Sequence, residues 1–151
     1  MKVLLAADGT KYSDAAAEML GKLKLADGDK VNIICVVDMA LPMSIDVYGG
    51  YIPDTSEMEK VARDNADKVV ADAAEKVRGS FGDANVDLTT DVLFGSPDSR
   101  IVETAEEMNA DLIVIGSHGY KQWERLLLGS ISDSVVHHAH CSVMVVRTDA
   151  A

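Results

Sequence analysis

Four short runs, Val3–Ala7, Val31–Val37, Leu112–Ile115 and Val143–Val146, are apolar almost throughout and lack an alternating polar face. A strand apolar on both sides must be buried on both sides, the condition of a strand inside a parallel sheet covered by helices. Segments of helical period separate the runs. Ala16, Met19, Leu20 and Leu23 recur at helical spacing after Ser13. A capping box at Ser56-Glu57-Met58-Glu59 opens a longer helix, with Met58, Val61, Ala62, Asn65, Val69, Ala73 and Val77 on its inner face up to Gly79. A fifth run alternates Val86, Leu88, Thr90 and Val92 with Asp87, Thr89 and Asp91, the pattern of a half-exposed edge strand. Ser96-Pro97 then caps and starts a helix with Ile101, Ala105 and Met108 facing inward, and a last helix runs from Ser130 to His140. Five strands alternating with four helices predict an α/β fold: an open five-stranded parallel sheet with helices on both faces, one domain over residues 1–151.

Charge and composition narrow the partners. With 25 acidic against 14 basic residues, a net charge of −11, the chain repels polyanions, so nucleic acid is not expected. The sequence contains neither an apolar run near the roughly 20 residues of a membrane helix nor a signal-peptide core, so the expected location is the cytoplasm, with no membrane association. Cys35 and Cys141 lack metal or redox spacing and read as reduced thiols. His137, His140 and Cys141 would share one helix face, but the dipole at a helix C-terminus favours histidine without a metal, and no metal site is predicted.

The chemistry concentrates where strands end. The first run stops at Asp8-Gly9-Thr10 and the second at Asp38, after which some 18 residues rich in Met, Tyr, Gly and Pro read as a mobile cover. The run before Gly116 empties into Gly116-Ser117-His118-Gly119, nine further residues, then Gly129-Ser130-Ile131-Ser132. Within those nine, the three leucines read as packing beneath the loop, and Lys121 and Arg125 as solvated. A strand passing through glycine and serine into a helix presents bare N–H groups at a helix N-terminus, a place for phosphate. A branched side chain at Gly129 is therefore expected to block the ligand while sparing the fold. Neither the P-loop nor the dinucleotide fingerprint occurs. In open parallel sheets ligands bind beyond the carboxyl ends of the strands, which is where these segments emerge.

These segments, with Val36-Val37-Asp38, Gly95-Ser96-Pro97 and Ala110 to Gly119, resemble the ATP-binding branch of the universal stress proteins over nearly the whole chain. The resemblance implies a Rossmann-like sheet of order 3-2-1-4-5, of the adenine nucleotide alpha hydrolase kind, and a homodimer through Val143–Val146. It also implies bound ATP, with Mg²⁺ joining through the phosphates; the residues leave AMP, ADP or a cyclic nucleotide open as the ligand. Carried over by position, Ala6, Ala7 and Asp8 line base and ribose, and Val36 offers backbone to adenine. Ile115, Gly116, His118, Gly119, Gly129, Ser130, Ile131 and Ser132 surround ribose and phosphates. Two departures, Ser142 where the family has proline and the bulky Trp123, bear on the dimer more than on the nucleotide. A dehalogenase-type phosphatase would need its nucleophile at Ala6, and a receiver domain a carboxylate within Leu93-Phe94-Gly95. With no dedicated water-positioning base, no catalytic residue is assigned: the expected role is a nucleotide-responsive dimeric module in stress response, with a slow ATP hydrolase as the alternative.

Overall fold

The computed structural model describes residues 1–38, 55–119 and 128–148. The expected cover after Asp38 and the loop with Lys121, Trp123 and Arg125 lie outside the described residues. The elements are β1 (Lys2–Ala6), α1 (Lys11–Lys22), β2 (Lys30–Val37), α2 (Thr55–Arg78), β3 (Asp87–Phe94), α3 (Pro97–Glu107), β4 (Leu112–Gly116), α4 (Ser130–His138) and β5 (Ser142–Val146). All strand pairs are parallel and their order is β3-β2-β1-β4-β5, as expected.

Burial tracks this order. β1 lies at the centre, and Val3, Leu4 and Leu5 are fully buried because alternate side chains enter opposite layers. Val3 and Leu5 join Ala16, Leu20, Val70 and Val77 beneath α1 and α2. Leu4 joins Ile101, Ile113 and Val135 beneath α3 and α4. β3 and β5 form the edges, and the polar alternation of β3 appears as exposed Thr89, Thr90 and Asp91.

Helix α2 departs from expectation at its start. It begins at Thr55, which puts Ser56 inside the helix, not ahead of it as a capping box requires. Met58 and Val61 are 53% and 59% exposed, and the buried stripe is Ala66, Val70, Ala73, Ala74 and Val77. Length is the reason. A 24-residue helix reaches about 36 Å at 1.5 Å per residue, and the eight-residue strands beneath it only about 26 Å. Since α2 runs antiparallel to the strands, its first turns overhang their carboxyl ends, and an apolar residue there has no sheet to meet.

At the end of β4, α1 comes so close that only glycine fits. A Cβ on Gly116 would lie 2.7 Å from the carbonyl carbon and oxygen of Tyr12 and 2.9 Å from its Cβ. Backbone atoms of a helix cannot rotate away, so relief would require α1 to shift. Gly116→Ala is expected to destabilise the fold by about 1–3 kcal/mol. That loss corresponds to a melting temperature lower by roughly 2–10 °C in thermal unfolding, and a change within error would show that α1 is free to move.

Candidate functional site

The carboxyl ends of β1, β2 and β4 open into a cavity of about 510 Å³, a size suited to small-molecule ligands. Every residue of the sequence-derived set except Ser132 lines it.

Asp8 enters from β1 and performs two tasks. Its Oδ1 accepts from the Thr10 N–H (2.9 Å) and the Thr10 hydroxyl (2.6 Å), while Thr10 Oγ1 caps α1 by accepting from the Ser13 N–H at 3.3 Å. One carboxylate oxygen thus builds the turn that starts the helix. The other, Oδ2, faces Gly119, where a Cβ would stand 3.1 Å away. Asp8 thus holds the turn and lines the cavity at once.

Val36 contributes backbone. The carbonyl of Ile34 accepts from the Ala7 N–H (2.8 Å), and that of Val37 accepts from Gly95 on the β3 side (3.0 Å). Backbone groups alternate in direction along a strand, so the N–H and C=O of Val36 turn toward β1 like those of Ile34. The β1–β2 pairing, however, stops at Ala6 and Ile34. The polar groups of Val36 therefore open onto the cavity, one step past the ladder.

The glycine motif is more internal than its spacing predicts. Ser117 donates its N–H to Val146 (2.9 Å), and its carbonyl accepts both the Gly129 N–H (2.7 Å) and the Ser132 hydroxyl (2.8 Å). Two expectations need correction. Ser132, expected beside ribose and phosphates, turns inward and is 2% exposed, with its hydroxyl also 3.0 Å from the Gly129 carbonyl. Nor does Gly129 bare its N–H to a ligand: a Cβ there would meet His118 Cα and Ser117 O at 3.2 Å. A branched side chain would thus disturb the strand end before it touched a ligand. The groups left for an anion are the N–H groups of Ser130 and Ile131, which in the first turn of α4 lack an intrahelical partner and sit at the positive end of the dipole. Beside them His118 holds Nδ1 3.0 Å from the Ser117 hydroxyl, and its ring lies 5.2 Å from that of Tyr12.

Two walls escaped the sequence reading. On one side α2 contributes Ala62, Asn65, Ala66 and Val69 from its overhanging half. On the other, α3 contributes Ser96, Pro97, Asp98 and Ile101. The signal for α3 was present, since Gly95-Ser96-Pro97 leaves the carboxyl end of β3 at the same edge as the other segments. Ser96 occupies the N-cap position, yet its hydroxyl donates to Asp98 at 2.7 Å instead of capping the helix. That bond, with the Ser134 hydroxyl at 2.8 Å, holds the Asp98 carboxyl below the usual carboxylate range. Burial and the neighbouring charge of Asp8 push the Cys35 thiol up to about 11, so it lines the cavity as a protonated, weakly reactive S–H.

The histidine-rich end of α4 does not form the helix face that its spacing suggests. The helix stops at His138, so His140 and Cys141 lie beyond it, and His140 Nε2 pairs with Glu106 at 2.6 Å. Among the described residues no cluster of three His, Cys, Asp or Glu side chains is placed to hold a metal ion.

Known proteins share this arrangement of chain. The family model described as "Universal stress protein family" matches residues 1–147. A Staphylococcus aureus protein named as a universal stress protein is 34% identical over 148 residues, covering 97% of this chain and 84% of its own. A universal stress protein solved in complex with cAMP superposes with a TM-score of 0.70 at 24% identity, over 99% of this chain and 98% of the other. An Arabidopsis thaliana universal stress protein family member with AMP bound superposes with a TM-score of 0.69 at 18% identity, over 99% and 93%. At these identities the two structures attest the fold, while the family match and the bacterial relative go further: this chain belongs to the universal stress protein family.

Proposed function

We propose that the cavity binds an adenine nucleotide, ATP foremost with AMP and ADP as alternatives, and that the protein responds to that ligand as a binding module. The observation that carries this reading is the pairing of the backbone of Val36 with the first turn of α4 across one cavity. Adenine presents an exocyclic amine beside a ring nitrogen, a donor next to an acceptor, which the C=O and N–H of one strand residue complement. The N–H groups of Ser130 and Ile131 suit a phosphate, and Asp8 offers acceptors to ribose hydroxyls between the two ends. Ala6, Ala7, Ile115, Gly116, His118 and Gly119 complete the walls, and Mg²⁺ would enter on the phosphates. The cAMP and AMP carried by the two structural neighbours support an adenine nucleotide without choosing among ATP, ADP and AMP. The module is read as one cytoplasmic domain.

We also propose a homodimer through β5. This strand closes one edge of the sheet, and Val143 and Val145 on it are half-buried. An apolar strand with one unpaired ladder side seeks a partner. The chemistry argues for ligand over substrate: His118 is held by Ser117 and packed against Tyr12, an arrangement that orients the loop.

Three measurements check these readings. Calorimetric titration of nucleotide-free protein is expected to show saturable heat with ATP or AMP. Nucleotide at about 100 times its Kd should then stabilise the fold by about 2.7 kcal/mol, a rise in melting temperature of roughly 5–10 °C. No heat and no shift would remove the nucleotide reading. Light scattering is expected to give twice the chain mass, and Val145→Lys the monomer. Single-turnover phosphate release should stay well below the roughly 1 per second at the low end of enzyme turnover; faster release that collapses in His118→Ala with unchanged ATP affinity would make the protein a hydrolase.

A further inference from the structure

Ile101 and Ala105 of α3 share one apolar cluster with Val135 of α4, and at the cavity end a side-chain hydrogen bond adds to that packing. Asp98, in the first turn of α3, lines the cavity, while its Oδ2 accepts the Ser134 hydroxyl at 2.8 Å. Ser134 itself lies outside the cavity, four residues on from Ser130, hence one turn below the N–H groups assigned to phosphate. The other carboxylate oxygen, Oδ1, is held by Ser96 at 2.7 Å, so Asp98 is fixed from both sides. A second α3 contact near the far end of α4, Glu106 to His140, involves a histidine side chain 76% exposed and is screened by solvent. The Ser134 hydroxyl also stands 3.3 Å from His138 Nδ1, but that nitrogen is closer to the Ser134 carbonyl, at 2.8 Å, leaving the hydroxyl proton for Asp98.

We propose that Asp98 is a positioning residue for the nucleotide: by accepting the Ser134 hydroxyl it sets the distance between the α3 wall and the anion-binding turn of α4. The proposal rests on the nucleotide reading above. The base half-site is the Val36 backbone beside the α3 wall, since Val36 packs on the apolar cluster that holds Ile101, and the phosphate half-site is the first turn of α4; a nucleotide joins the two by one short linker and gains from both only when they stand at the matching separation. Loss of the Asp98–Ser134 bond leaves each half-site and the apolar packing intact but loosens their spacing at the cavity end. Its signature is a loss of affinity for a ligand that spans both halves, with little loss for a ligand that occupies one.

The test is calorimetry on the full chain with AMP and, separately, adenosine, for wild type, Ser134→Ala, Ser134→Thr, Asp98→Ala and the double alanine variant, each checked for a cooperative melt. Ser134→Ala is expected to weaken AMP about tenfold, the scale of one hydrogen bond to a charged group, and to change adenosine less than about twofold. Ser134→Thr, which keeps the hydroxyl, should restore AMP binding, and the double variant should lose no more than the worse single variant, because both remove one interaction. Unchanged AMP affinity in Ser134→Ala, losses of AMP and adenosine in step, or additive losses in the double variant would each overturn the positioning role while wild-type binding stands. A wild type that binds neither AMP nor ATP would instead overturn the nucleotide reading, and this proposal with it.

Discussion

The contact between Gly116 and the backbone of Tyr12 governs the geometry of the cavity end of the sheet. Because that approach leaves no room for a Cβ, the first turn of α1 is pressed against the end of β4. β1 runs between β2 and β4, so the turn joining β1 to α1 is held over the same spot. Asp8, Thr10 and Ser13 stitch that turn, and the ring of Tyr12 meets His118 from beneath. A larger residue at 116 would push α1 outward, moving the Asp8 turn stitched to its start and the Tyr12 ring that packs on His118.

A second economy is that most polar groups near the cavity satisfy the protein first. Ser117 alone takes three hydrogen bonds through its backbone, joining β5, Gly129 and Ser132. Buried backbone groups must find partners, so a loop passing through the interior spends its amides internally. What secondary structure leaves over by geometry is the first turn of α4, and a strand residue beyond the last β1–β2 pair. A site of this kind needs no basic side chain to attract an anion, since it offers partial positive charge fixed in direction.

The acidic residues in the same wall have a comparable role. Asp8 and Asp98 each open a helix, α1 and α3, and each accepts hydroxyl protons from neighbours in sequence. A carboxylate at a helix N-terminus is favoured by the dipole, and hydroxyl donors fix it in direction. The two helix starts thus supply acceptors to the cavity, and α4 supplies donors.

Local chemistry was legible from the chain alone. Apolar runs without alternation require strands buried on both faces, the β3 pattern requires an edge, and glycine and serine at strand ends require turns, so the elements and the sheet end that carries the candidate site follow from residue order. The strand order itself came from family likeness, and the pairing agrees with it. What only the tertiary structure decided is which groups at that edge are already taken. Spacing cannot tell that Gly129 gives its N–H to Ser117, that Ser132 turns inward, or that Asp98 reaches Ser134 36 residues away. It likewise cannot tell that the first turns of α2 overhang the sheet, leaving Met58 and Val61 in solvent while Ala62 and Asn65 reach the cavity. Periodicity is set by a residue's neighbours within a few positions, whereas hydrogen-bond saturation depends on distances between elements remote in sequence, and these exist only once the layers have packed.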